Sequence, residues 1–190
     1  GRITPAMKTK YKDLSTEQDA LIEKIEKDIL PPLVEEEANT HVWQIETVAD
    51  DMRSVAQDLK SRKSGYDVQD SELAIIEALQ RVIESFEQIS KDEEAKPSEP
   101  PPGGQGQQGR PRIVPPVAEL RLLAKGQEAL KQRMERLKKH VEESKSSAPG
   151  EISKTDLTDV HRRLLERLAS EQRELAQKLR EFSKSKLGGQ

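Results

Sequence analysis

Cysteine is absent from this 190-residue chain. That excludes disulfides and thiolate metal sites and leaves the redox compartment open. Aromatics are scarce too, with one Trp, two Tyr and two Phe. Hydrophobic residues of every kind make up only 33% of the chain and charged residues 35%. An average globular domain has roughly 45–50% apolar residues, glycine included, and about 25% charge. The deficit argues against a thick globular core and is what thin apolar seams with wet outer faces would produce. No run approaches the ~18 apolar residues of a membrane span, and no signal peptide is visible. The chain also lacks a Gly-x-Ser-x-Gly elbow and a phosphate-cradling glycine loop. Nothing therefore supports nucleophilic catalysis, no cofactor is implied, and the expectation is a protein that is not an enzyme.

What is present is a heptad stripe that runs twice. Val34, Ala38, His41, Ile45, Val48, Met52, Val55 and Leu59 alternate steps of 4 and 3, and so do Leu120, Leu123, Gln127, Leu130, Met134, Leu137 and Val141. This spacing puts a narrow apolar seam on a long helix, which another helix must cover. The polar seam members His41 and Gln127 read as register-fixing positions, which cost stability and disfavour misaligned pairings.

The expected architecture is all-α: two antiparallel helical-hairpin, coiled-coil-like modules joined by a Pro/Gly/Gln-rich linker. Residues 1–13 read as a flexible tail, 14–91 as an acidic three-helix module, 92–116 as a disordered linker, 117–184 as a basic helical hairpin and 185–190 as a second tail. Ser15 and Gln18 fit a capping box for a first helix carrying Leu21, Ile22, Ile25 and Ile29. Pro31 and Pro32 stop it and open a second helix, whose first turn holds Glu35, Glu36 and Glu37. That helix runs to about Arg62, with Gly65 suited to a left-handed cap. Asp67 caps a third helix, where the rows Ile75/Val82/Ile89 and Ile76/Ile83 can touch two neighbours at once. After the linker, a fourth helix runs over 117–143, and 146–150 break it. Ser153 or Thr155 caps a fifth, whose apolar positions (Leu157, Val160, Leu164, Leu168, Leu175, Leu179 and Phe182) drift toward a 3.6 period.

Charge divides the same way. Residues 1–95 hold 12 Lys+Arg and 22 Asp+Glu, a net of −10, and residues 96–190 hold 20 and 13, a net of +7. Opposite halves suggest mutual docking or ordered assembly more than nucleic-acid binding, which usually needs an uninterrupted basic face. The alternative is a regulatory or adaptor module that binds nucleic acid or an anionic surface through 117–143. Its cations are Arg121, Lys125, Lys131, Arg133, Arg136, Lys138 and Lys139, preceded by Arg110 and Arg112. They are spread round the helix and no aromatics interleave, so a solvated face, or one turned to the acidic half, is the better reading. Glu37 and His41 share a helix face, His140 lies near Arg136 and Glu143, and His161 sits between leucines. None of these makes the Glu-x-x-His sets of a di-metal bundle, so no metal is expected. Trp43 is expected to pack, in the first instance against the first helix.

Two segments carry a resemblance. One is Ile113-Val-Pro-Pro-Val-Ala-Glu-Leu-Arg-Leu-Leu123 followed by Gln127, and the other is Leu168-Ala-Ser-Glu-Gln-Arg-Glu-Leu-Ala176. With the acidic half and the linker before them, the chain resembles uncharacterised, exported helical proteins of planctomycete-type bacteria. The resemblance implies a periplasmic or cell-envelope location and no activity. The function expected is thus a structural or protein-interaction module of the envelope, with itself or another helical protein as partner.

Overall fold

The computed structural model describes residues 4–94, 114–144 and 157–187. The centre of the linker, the break at 146–150 and the caps at Ser153 or Thr155 lie outside the described residues. The described chain is all-α and contains no strand.

Helix α1 (Pro5–Lys24) begins well before the expected capping box. Thr4 Oγ1 accepts the Met7 N–H at 3.3 Å, and Pro5 fills the first turn, where a missing N–H costs little. Residues 5–13 are therefore helix rather than tail, and Ser15 is buried in mid-helix. Pro31 and Pro32 do not stop the chain's first helix either. A π-turn (Ile25–Ile29) leads directly into α2 (Leu30–Glu35). The Leu30 N–H reaches the carbonyl of Ile25, five residues back. This wider turn absorbs the pair of rings that a regular α-turn could not accommodate.

The real break lies six residues later. Glu37 adopts φ 54°, Ala38 N–H donates to Leu33 O at 3.0 Å and Glu37 N–H to Val34 O at 3.1 Å. This is a left-handed C-terminal cap. The Glu35–Glu37 run thus ends one helix instead of opening the next. Helix α3 (Asn39–Lys60) closes in the same way at Arg62, with φ 60° and Lys63 N–H donating to Asp58 O at 2.8 Å. Gly65, the expected left-handed residue, has no positive φ. It precedes α4 (Tyr66–Glu94), and an added Cβ would stand 2.9 Å from Asp67 Oδ1. Helix α5 (Pro116–Ser144) follows Val114, which is buried rather than part of a solvated linker. Helix α6 (Asp159–Leu187) opens on Thr158, whose Oγ1 accepts the His161 N–H at 3.3 Å.

Cross-helix pairs fix the directions. Lys60 reaches Asp19 at 2.9 Å and Arg53 pairs with Glu26, so α1 runs antiparallel to α3. Arg121–Asp92, Lys125–Glu84 and Arg136–Glu77, at 2.7–2.9 Å, set α5 antiparallel to α4. One core cluster joins α1, α3 and α4 to Val114, Ala118 and Leu122 of the second half. The other joins leucines of α5 and α6 to Trp43 and Tyr66 of the first half. The halves expected as two modules therefore share their cores, and Trp43 packs toward the second half rather than on α1.

Candidate functional site

The α3 seam falls where its spacing puts it. Ala38, His41, Ile45, Val48, Met52, Val55 and Leu59 are all buried. Val34 alone is not, being 58% exposed on α2, beyond the Glu37 turn. On α5 the stripe divides. Leu123, Leu130, Leu137 and Val141 are buried, while Leu120, Gln127 and Met134 face solvent. The partner row runs instead through buried Leu122, half-buried Gly126 and buried Arg133, because α5 packs on α3, α4 and α6 together and buries a broad, 3.6-period face. Gln127 still bridges helices: its side-chain amide exchanges two hydrogen bonds with that of Gln172, at 3.2 and 3.0 Å.

Where α3, α4, α5 and α6 meet, the interior is ionic. Arg133, with its side chain 5% exposed, donates to Asp70 at 3.1 Å and to Glu171. Arg136 clasps Glu77 with two hydrogen bonds of 2.9 and 3.0 Å. Arg167 lies 2.6 Å from Asp51, 3.2 Å from Glu171, and donates to Ser71 Oγ at 2.6 Å. Arg81, half buried beside them, is depressed from the usual guanidinium range by burial, with Glu77 opposing. Burial pushes the Asp51 carboxyl up, and Arg167 opposes it. For Arg133, Glu171 and Asp70 together outweigh the burial that would favour its neutral form, so its net shift is upward. Carboxylates Asp51, Asp70, Glu77 and Glu171 thus face guanidiniums Arg81, Arg133, Arg136 and Arg167, a neutral layer. Neutrality matters most at Arg133 and Asp70, 5% and 7% exposed, where an unpaired charge would cost several kcal/mol.

Two smaller polar contacts flank the layer. Ala38 offers no side-chain cap to α3, and Glu119 of α5 supplies one, accepting the Thr40 N–H at 3.1 Å. His41, 0% exposed, shares a 3.0 Å hydrogen bond between Nε2 and Ser85 Oγ and tilts against Phe86. Its Nδ1 finds no hydrogen-bond partner among the described residues, and burial lowers its pKa. At the opposite end, Tyr66 stacks on His140 with ring centroids 3.6 Å apart, and His140 meets His161 edge-on at 5.3 Å. His161 Nδ1 accepts the Thr158 N–H at 3.3 Å, so the neutral ring completes the α6 cap. Burial, then the nearby His140, lowers its pKa.

All seven described cations of α5 stand in ion pairs, four of them across to α4 or α6. Among the described residues, no group of three or more His, Asp or Glu is arranged to hold a metal, and no helix is long and apolar enough to cross a membrane. The ionic layer escaped the heptad pattern because Arg133 breaks any hydrophobic template. The signal that anticipated it was the opposite net charge of the halves.

Several large apolar side chains are left outside the interior. Met7, Leu14 and Leu21 of α1, Leu73, Ile76 and Ile83 of α4, and Leu120 and Met134 of α5 are all exposed. The Ile75/Val82/Ile89 row of α4 is buried, but the Ile76/Ile83 row is more than half exposed. No protein family, curated protein or solved structure matches the chain.

Proposed function

We propose that this chain is a non-enzymatic protein-interaction module with a structural role. A bundle braced internally by ion pairs presents apolar helix rows to a helical partner. The observation that carries this is the Ile76/Ile83 row, 52% and 57% exposed on a helix whose other row is fully packed. Heptad-spaced apolar residues left in water cost solubility and contribute little to the monomer, which makes sense when a partner covers them. The ionic layer supports the same reading, since its groups are spent on one another rather than turned toward a substrate. A cell-envelope location is part of the proposal and rests on the resemblance of the α5 and α6 segments; fractionation of cells that carry the full-length gene tests it.

The reading is tested by Ile76→Gln/Ile83→Gln in dilute protein. An interaction surface predicts a stability within ~1 kcal/mol of the parent chain, as for other surface changes. A loss of more than about 3 kcal/mol would show that the row serves the chain's own core.

A further inference from the structure

We propose that the partner is a second copy of the chain, with α1 of one copy lying antiparallel on α4 of the other, and reciprocally. This rests on the interaction-module reading and names the occupant of the surface.

Three observations support it. The first is that both helices leave a row exposed at heptad spacing. On α1 it is Met7, Leu14 and Leu21, and on α4 it is Ile76 and Ile83 with Leu73 beside them. Tyr11, one turn from Met7 and Leu14, bonds Ser64 in the α3–α4 turn at 2.7 Å, which sets this part of α1 beside the start of α4. Leu79 and Phe86, between the α4 row and the core, are partly buried against the cluster that α1 and α3 share.

The second is register. When Leu14 is set opposite Ile83 with the helices antiparallel, Leu21 falls opposite Ile76, because both steps are seven residues. Lys10 then faces Glu87, Glu17 faces Gln80, and Lys24 falls beside Leu73 and Glu72. The cations are 14 residues apart and the carboxylates 15, about 21 and 22 Å along a helix. Lys10, Lys24, Glu72 and Glu87 make no ion pair among the described residues, whereas most of the bundle's other charges do. Glu72 is moreover raised above the usual carboxylate range by partial burial, as expected for an acid beside an apolar row with no cation at hand.

The third is symmetry. Within one chain α1 and α4 are both antiparallel to α3, hence parallel to each other, so neither can satisfy the other in this register. A twofold axis perpendicular to the helices reverses one copy and makes both α1–α4 contacts at once, the isologous arrangement commonest among dimers.

The absence of cysteine makes the test clean. The full chain is studied by sedimentation equilibrium over a wide concentration range, alongside Ile83→Glu, Lys10→Glu, Glu87→Lys and the Lys10→Glu/Glu87→Lys pair. Separately, Leu14→Cys and Ile83→Cys proteins are mixed under mild oxidation. The expected results are a dimer weakened at least tenfold by Ile83→Glu, weakened by each single charge reversal, and restored by the pair. Mixed Leu14→Cys/Ile83→Cys disulfides should form faster than either like pair. Helical melts of dilute variants separate lost association from lost folding, and the charge variants serve should Ile83→Glu unfold. A strictly monomeric parent chain overturns the second-copy assignment, and the dilute-stability test of the Ile76/Ile83 row still stands on its own. A dimer indifferent to all these changes, or one that cross-links Leu14→Cys to itself fastest, overturns the α1–α4 surface.

Discussion

Replacing Asp70 with Ala removes one of the two carboxylates that hold the Arg133 guanidinium, and both side chains are almost wholly buried, at 5% and 7% exposure. Arg133 keeps Glu171, and Arg136 keeps Glu77 while losing a 4.0 Å contact. Stripping a buried ion of its whole partner set costs roughly 3–5 kcal/mol, and a single hydrogen bond to a charged group is worth about 1.5–3. Loss of one partner of two belongs between these, at about 2–4 kcal/mol. At ~2–4 °C per kcal/mol for a chain of this length, the thermal midpoint falls by roughly 4–16 °C. Urea unfolding followed by helical circular dichroism gives the free energy, and the cycle is closed with Arg133→Met and the double variant. The double should cost at least ~1.5 kcal/mol less than the sum of the singles, because Met removes the stranded charge. The Asp70→Ala penalty should also hardly change at 0.5 M NaCl, as buried pairs are little screened. A cost below ~1 kcal/mol together with an additive double would refute the view that this layer ties the halves together.

Gly126→Ala should stabilise the chain by about 0.5–1 kcal/mol through helix propensity in the same unfolding assay. The added methyl meets only Leu175 at an ordinary 3.4 Å and borders an internal cavity of about 50 Å³; a net loss would mean that α5 and α6 approach more closely than this. Arg62→Gly should add about 1 kcal/mol, since a left-handed φ of 60° strains any side chain; no gain would contradict the capping geometry at the end of α3. Acidification from pH 7.5 to 5.5 should lower stability. Burial depresses His41 and His161, so the unfolded chain binds their protons more readily, and the contribution present above the unfolded value near 6.5 is lost as pH falls below it. Each histidine contributes at most ~1.4 kcal/mol per pH unit, and the raised Asp51 and Glu72 oppose the trend only as carboxylates begin to protonate. A flat profile that is unchanged by His161→Asn would argue against the neutral cap at Thr158.

The parts of the fold legible in the sequence were those set by side-chain periodicity alone. The α3 seam from Ala38 to Leu59 is one, because a helix covered on several sides by apolar neighbours buries what its spacing dictates. On α5 the 3.5- and 3.6-residue periods share Leu123, Leu130 and Leu137 and differ only in the second row. Choosing between them needs the neighbours, and those bring Arg133 inside and leave Leu120 and Met134 out. Pro31 and Pro32 read as a stop because a regular helix cannot hold them; the π-turn that does hold them is a backbone adjustment with no side-chain signature. Glu35, Glu36 and Glu37 suit a helix start electrostatically, yet the left-handed turn at Glu37 is closed by backbone hydrogen bonds, which the pattern of charges does not encode. The ionic layer, buried at Asp70 and Arg133, was foreshadowed by the −10 and +7 halves, but which four cations turn inward depends on helix rotation.

Docking of the two halves through that layer is the central claim, and an interhelical distance measures it most directly. Cysteines introduced at the exposed positions Asp50 on α3 and Glu174 on α6 take spin labels without competition, as the chain has no thiol of its own. Dipolar spectroscopy, with the labelled protein diluted into unlabelled chain, should give one narrow distance distribution that persists at 0.5 M NaCl. A broad distribution in the parent chain, of the kind two independently tumbling hairpins produce, would contradict the account.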